Sequence, residues 1–430
     1  MFAARRDRFI EGLPEGSVVL LLGATPVRRS NDTEFPFRQD SDFHYLTGFD
    51  HPNAAAILRP GDKPFTLFVE PRDRAAETWT GYRPGVEGAV DDYGADVAHP
   101  RSELRDKLPE LIADTSRIYH VLGRDAEIDK VLIASLDEMR LRSRAGHNPA
   151  SEIVDPRSRI HEMRLRKEPG ELELMRRAAD ITREAHAEAA RLARGGRFEY
   201  ELEAVLGYAF RRRGAAGPAY TSIVGGGRNA TILHYIQNDQ PLVDGELLLI
   251  DAGCEFQGYA SDVTRTYPVG GRFEGSKRDV YEVVLAAQRA SLDAAGPGAT
   301  LPAVHDASVR TLTEGMIALG LLSGDCEELI AREAYRRYYM HNTSHWLGLD
   351  VHDVGTYTEG GEPRPLEAGM VFTVEPGLYI AEDDEEADLA FRGIGVRIED
   401  DVLVTEDGIE NLTEAIPKGV AEVEAWVNGP

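Results

Sequence analysis

Between residues 250 and 267 the chain reads IDAGCEFQGYASDVTRTY. Asp251 ends an apolar run over 247–250, Gln257-Gly258 is a two-residue turn, and 259–267 is rich in β-branched and aromatic residues. The stretch therefore predicts a hairpin. With that loop Phe256 faces Tyr259 and Gly253 faces Asp262, so Asp251 and Asp262 are diagonal neighbours on one face, roughly 7–8 Å apart at the backbone. Two acids turned inward repel each other and lose hydration unless a cation sits between them. An edge hairpin with two solvated aspartates would show the same letters, so further donors have to be found.

Four other stretches offer them. Residues 340–355, MHNTSHWLGLDVHDVG, carry His341, His345 and His352. Histidines four apart suit a helical zinc pair, but the first lacks an adjacent glutamate and Gly348 interrupts the pattern. In GMVFTVEPGLYI (369–380), read as one strand, Thr373 and Glu375 share the face opposite Phe372 and Val374. In GIGVRIEDDVLVT (393–405) Arg397 and Glu399 share a face, as an ordinary cross-strand ion pair also would. His234 stands in ILHYIQND, an apolar setting in which a histidine is more often a core group than a catalyst. Asp251, Asp262, Glu375, Glu399 and His345 together make a hard, oxygen-rich donor set, suited to manganese, cobalt or magnesium rather than to a thiolate zinc site. Four carboxylates exceed the needs of one divalent ion. Two ions bridged by shared acids, roughly 3.5–4 Å apart, are the economical arrangement and can activate a water.

The elements that position these residues fall into two parts. Residues 1–160 alternate strand and helix signals: apolar runs at 17–22, 54–58, 65–69 and 117–122 predict buried strands, and 101–113 and 127–142 have helical spacing. This is an α/β layer domain. Its unusual features are FRQDSDFHYLTGF (37–49), read as a polar and aromatic loop suited to a pocket rim or interface, and Trp79, either an internal packing residue or part of such a rim. Asp155-Pro156 marks the boundary, and 161–430 form the second domain. Glu168-Pro169-Gly170-Glu171 is an acidic, proline-containing helix start. Helices are predicted over 172–193, 200–214, 277–295, 301–319 and 326–339, grouped around an antiparallel sheet that carries the hairpin.

The chain has 430 residues with 48 Lys+Arg against 74 Asp+Glu, a net charge of −26. Such a surface repels phosphate backbones and anionic lipid, which argues against nucleic acid and membrane as partners. Lysine is scarce, so the acidity reads equally as salt adaptation or as compositional bias. Cys254 and Cys326 are the two cysteines, too few for a disulfide framework, and MFAARRDRFIEGLP has no apolar core of signal-peptide length. A cytoplasmic setting is expected.

In order and spacing, DAGCEFQGYASDVTRT, HNTSHWLGLDVHD, VEPGLYI and GIGVRIED resemble the ligand motifs of the proline-specific pita-bread metallopeptidases, and SHWLGLDVHDVG resembles the bacterial aminopeptidase P family in particular. The likeness covers nearly the whole chain and implies a creatinase-like α/β N-terminal domain followed by an α+β pita-bread catalytic domain. It implies two divalent ions per chain, manganese first, with cobalt or zinc as alternatives. Asp251 would hold one ion, Asp262 and Glu399 would bridge, and His345 and Glu375 would complete the other. By the same likeness His234, His341 and His352 match substrate-contacting and proton-handling histidines, with His352 at the oxyanion, and Arg397 holds the inner acids. Glu375 is the expected proton acceptor. Tyr379, Trp79 and Asp42 are expected at the substrate pocket, Trp79 and the segment 42–45 reaching the site of a neighbouring copy in a homo-oligomer, a dimer or tetramer. The implied reaction is release of the N-terminal residue from peptides with proline second. A prolidase restricted to dipeptides is the near alternative, and a non-catalytic pita-bread binding protein the distant one. Asn342-Thr343 is the visible departure from the pattern, where a Gly-Leu type pair is common.

Overall fold

The computed structural model describes residues 1–142, 144 and 148–429, and the chain divides into two units, Met1–Met163 and Arg164–Pro430. The first holds a six-stranded sheet in the order Val97–Pro100, Phe65–Val69, Ala55–Leu58, Ser17–Leu22, Arg117–His120, Glu152–Val154. Ala55–Leu58 runs antiparallel to both neighbours and the other pairs are parallel. Ser17–Leu22 is buried throughout, as its unbroken apolar run requires of a strand covered on both faces. Helix Ala126–Leu141 turns Ile128, Leu132, Leu136 and Met139 onto this sheet, joined by Leu104 and Leu108 of Leu104–Leu111.

The segment 37–49 is not the loop expected from its composition. Ser41–Thr47 is a helix, capped by Asp40, whose side chain accepts the Phe43 N–H at 2.8 Å, and closed by Gly48 in the left-handed region. Phe43, Tyr45, Leu46 and Phe49 are buried, so its aromatic content serves the unit's own core, and Tyr45 cannot line a rim. Asp42 meets the ring of His161 at 3.1 Å. Trp79 behaves in the opposite way: it is 88% exposed on Arg74–Thr80, a helix with no buried residue, which rules out internal packing.

In the second unit, helices Pro169–Ala190, Glu199–Arg212, Gly275–Ala294 and Leu301–Ala318 surround small antiparallel sheets and share their core with them. The acidic helix start is real: Glu171 Oε2 accepts the Glu168 N–H at 2.8 Å. The helix expected over 326–339 stops at Ala331, because Glu333 takes a left-handed φ of 53° and only a short 3-10 turn, Ala334–Arg337, follows.

Two interrupted hairpins define the sheet region. In the first, Phe256 pairs with Tyr259 around Gln257-Gly258, both at positive φ, and Leu247–Asp251 pairs with Thr264–Pro268. Asp251 faces Thr264 on one side of the gap and Glu255 faces Ala260 on the other, so the register is continuous and sets Gly253 opposite Asp262. A Cβ on Gly253 would lie 1.8 Å from the Ser261 carbonyl oxygen, so no larger residue fits there. In the second, neither expected long strand is whole. Val371–Val374 pairs with Asp400–Val404 in one sheet, and Gly377–Ile380 with Ile394–Arg397 in another. Pro376 has no N–H for the ladder, which breaks the first strand. Val374 faces Asp400 before the break and Gly377 faces Arg397 after it, which sets Glu375 opposite Glu399.

The hairpins are locked together by a fully buried ion pair, Arg265 Nη2 to Asp400 Oδ1 at 2.6 Å. Arg265 also donates to the carbonyls of Thr264 and Glu399, and Asp400 accepts from Gln288 and Lys418. Removing one partner strands a buried charge, at a cost of about 3–5 kcal/mol. Asp400→Ala is accordingly expected to lower unfolding stability by about that much in urea titration. An unchanged midpoint would show that the carbonyl contacts alone satisfy Arg265.

Candidate metal centre

The breaks in the two hairpins face each other. The Glu399 N–H donates to the Thr264 carbonyl at 3.0 Å, and Thr264 Oγ1 donates to Glu399 Oε2 at 2.6 Å. Ligand atoms of Asp262, His345 and Glu399 lie within 4.8 Å of one another. His345 comes from an irregular segment, not from a helix, anchored as its N–H donates to Thr373 Oγ1. Glu375 Oε1 is 3.5 Å from His345 Nε2, and Asp262 Oδ2 is 3.4 Å from the same atom. Asp251 joins from the end of its strand, its carboxylate accepting from Arg397 Nη2 at 2.6 Å and from the Tyr220 hydroxyl at 2.5 Å.

The charges settle what this pocket wants. Burial, then mutual repulsion, disfavours the ionised acids: Glu399 is pushed well above the carboxylate range, Glu375 up to about 7, and Asp251 also upward despite Arg397. His345 Nδ1–H donates to the Trp346 carbonyl at 3.0 Å, which leaves the Nε2 lone pair aimed at two carboxylates. Burial alone would lower its pKa, yet Asp262 and Glu375 raise it to about 9. A nitrogen lone pair and converging carboxylate oxygens form a donor set that calls for a cation, and the second ring nitrogen held by a carbonyl is how ligating histidines are oriented. The residues fit a divalent metal.

Arg397, Tyr379, His341, His352 and His234 all lie in the unit that holds this cluster. Arg397 Nη1 donates to the Tyr379 hydroxyl at 3.1 Å, which donates to His341 Nε2 at 2.8 Å, and His341 Nδ1–H is held by the Asn342 carbonyl. Burial, then Arg397, lowers His341 to about 4. The His352 ring stands edge-on to His345, centroids 4.4 Å apart, and burial and His345 lower its pKa. His234 is exposed, not a core group, and close enough to influence both His341 and His352. Asp42 and Trp79 belong to the first unit.

A family model for metallopeptidase family M24 matches residues 173–406, and one for the aminopeptidase P N-terminal domain matches 2–119. The chain is 45% identical over 427 residues to the Xaa-Pro aminopeptidase of Escherichia coli, covering 99% of this chain and 96% of that protein. This chain belongs to metallopeptidase family M24. Among solved structures it is similar to an aminopeptidase of Pseudomonas aeruginosa, with a TM-score of 0.97, 48% identity and coverage of 99% and 97% of the two chains. It is also similar to zinc-substituted E. coli aminopeptidase P in complex with product, with a TM-score of 0.95, 44% identity and coverage of 99% and 97%.

Sequence reasoning missed several residues that shape this M24 site. Thr264 receives Arg397 Nε at 3.0 Å while donating to Glu399, and its place two residues from Asp262 on one face was a usable signal. Asp401 accepts the Ser261 hydroxyl and the Asp262 N–H behind the cluster. Asp353, next to His352, is held by Lys167 at 3.0 Å and Arg164 at 2.5 Å. Tyr220, in the plain context GPAYTS, carried no signal at all.

In metal-stripped protein the raised acids destabilise the fold as pH climbs from about 4.5 through the folded value, about 7 for Glu375. His345 acts in the same direction, since its contribution is complete below 6.5 and is lost as pH rises through about 9. The Tm gap between metal-loaded and chelator-stripped protein should therefore widen from about pH 5 to about pH 9. A gap that stays constant would count against this electrostatic account.

Proposed function

We propose that this chain is a dinuclear Xaa-Pro aminopeptidase, releasing the N-terminal residue of peptides whose second residue is proline. The reading is carried by one observation: a buried cluster of acids around His345 in a chain similar from end to end to proteins named Xaa-Pro aminopeptidase. Asp251 would hold one divalent ion, Asp262 and Glu399 both ions, and His345 and Glu375 the other. The oxygen-rich set favours manganese, with cobalt or zinc as substitutes. The ions, when bound, polarise the scissile carbonyl and lower the pKa of the attacking water.

The chain's own residues do the rest. Glu375 accepts the proton of the attacking water, a role open to a carboxylate within hydrogen-bond reach of the attacking oxygen. His352, whose ring stands edge-on to His345, donates to the carbonyl oxygen as it gains charge. Arg397 holds Asp251 and, through Tyr379, fixes His341 as a neutral ring on the pocket wall. An Xaa-Pro amide has no N–H, so recognition relies on shape, with His341, Tyr379 and the exposed His234 bounding the ring's space. Paired with manganese, Ala-Pro-Ala should be hydrolysed to free alanine and Ala-Pro poorly; cleavage of the dipeptide alone would make the protein a prolidase. His352→Ala should keep its metal and lose roughly 10²–10³ in kcat. Loss of metal in that variant would instead make His352 a ligand.

The partner beyond peptides is a second copy of the chain. A seven-residue helix with nothing buried is marginal in water by itself, and here it presents Trp79, followed by an exposed Tyr82. We place this surface in a dimer or tetramer, with Trp79 bordering the peptide channel of a neighbour. The acidic surface disfavours nucleic acid and anionic membranes, and the two unpaired cysteines suit the cytoplasm. Trp79→Ala should change preference for peptide length without changing metal content. Light scattering that finds a fully active monomer would end the shared-channel idea.

A further inference from the structure

Thr343 is fully buried, yet it carries a hydroxyl. Its Oγ1 lies 2.5 Å from the Tyr339 hydroxyl and 2.8 Å from Nδ1 of His305, on helix Leu301–Ala318. The hydroxyl has one proton and two lone pairs, so it donates to at most one of these neighbours and accepts from at least one. The same residue's carbonyl accepts the Glu375 N–H at 2.9 Å, at the break where that strand leaves one sheet for the next. Thr343 also lies midway between His341 and His345 in the chain, and the Tyr339 ring stands edge-on to His341 with centroids 4.9 Å apart. Helix, histidine segment and strand break thus meet at a single side chain. Asn342-Thr343 is also where this sequence departs from the ligand-motif pattern.

We propose that Thr343, gripped by His305 and Tyr339, is a positioning residue for hydrolysis: it ties Glu375 and the segment bearing His341 to the Leu301–Ala318 helix. Among the described residues no side-chain hydrogen bond joins these three to the acid cluster, so the effect is exerted through the backbone of Glu375 and through His341. The inference rests on the peptidase reading above. A buried hydroxyl removed without a change of volume leaves two polar groups unmet and lets the segment shift, and misplacement on the scale of 1 Å costs up to about 100-fold in rate.

The test uses full-length, manganese-loaded protein and Ala-Pro-Ala. Thr343→Val should lower kcat by about 10- to 100-fold with KM and bound metal unchanged, and Thr343→Ser should restore most of the rate. His305→Ala should cost a similar factor, and the double variant His305→Ala/Thr343→Val should lose little more than either single one, because both act through one contact. Wild-type kcat in Thr343→Val, additive losses in the double variant, or a rate that falls only in proportion to lost metal would each overturn the proposal. If the wild-type protein itself does not cleave the tripeptide, the peptidase reading fails instead, so the two failures are distinguishable.

Discussion

Carboxylates gathered out of water repel one another, and the second unit is arranged around keeping Asp251, Asp262, Glu375 and Glu399 together. The force available to hold them is backbone pairing. Each hairpin keeps its register across a gap, and each gap puts an acid where a ladder residue would be. Asp262, Glu375 and Glu399 are thereby released from the ladder while the strands on both sides continue to fix their positions, and Asp251 stays in its strand opposite Thr264. Gly253 and Pro376 make the gaps possible, one by having no side chain to clash and the other by having no N–H to donate. The repulsion that remains is an electrostatic well for cations.

Behind the acids lies a second tier that decides how deep the well is. Arg397 contributes a positive charge to Asp251, and Thr264 relays its contact to Glu399 as a neutral hydroxyl. Asp401 could have added a fifth negative charge beside Asp262. Burial first, and then Asp262 itself, push its pKa well above the carboxylate range, while the Ser261 hydroxyl and the Asp262 N–H oppose that shift. Asp400, one residue away, has the opposite fate: Arg265 and Lys418 outweigh its burial and hold it ionised. Neighbouring residues on one strand are thus shifted in opposite directions because alternate side chains face different partners.

Much of this was legible in the letters. Four of the six sheet strands of the first unit, the four long helices of the second and the Phe256–Tyr259 register follow from apolar periodicity and a Gln-Gly turn, whereas the short edge strands Val97–Pro100 and Glu152–Val154 do not. The strand breaks at Glu375 and Glu399 were not, because side-chain alternation runs through them without a change of period and only the proline hints at the first. Residues 41–47 misled for a different reason. A seven-residue helix shows less than two full turns of pattern, and its buried aromatics resemble an exposed aromatic loop in composition. At the site, residue types pointed to a hard cation, but partners such as Tyr220 and Asp401 became visible only once the hairpins were laid against each other. Pairwise proximity between distant segments is not encoded in local spacing.

The histidines show why proximity matters more than identity. Three of them, His341, His345 and His352, come from a single stretch and begin with the same intrinsic pKa. His345 faces two carboxylates and rises to about 9, whereas His341 faces Arg397 and Tyr379 and falls to about 4, although both are half-buried. His352 has His345 as its neighbour and is lowered as well. Environments that push like groups apart in this way assign them different work. A ring drawn toward positive charge is one whose lone pair a metal can take over from the proton. The two rings that resist charging stay neutral at ordinary pH, and in His341 both nitrogens are already engaged, Nδ1–H with the Asn342 carbonyl and Nε2 with the Tyr379 hydroxyl.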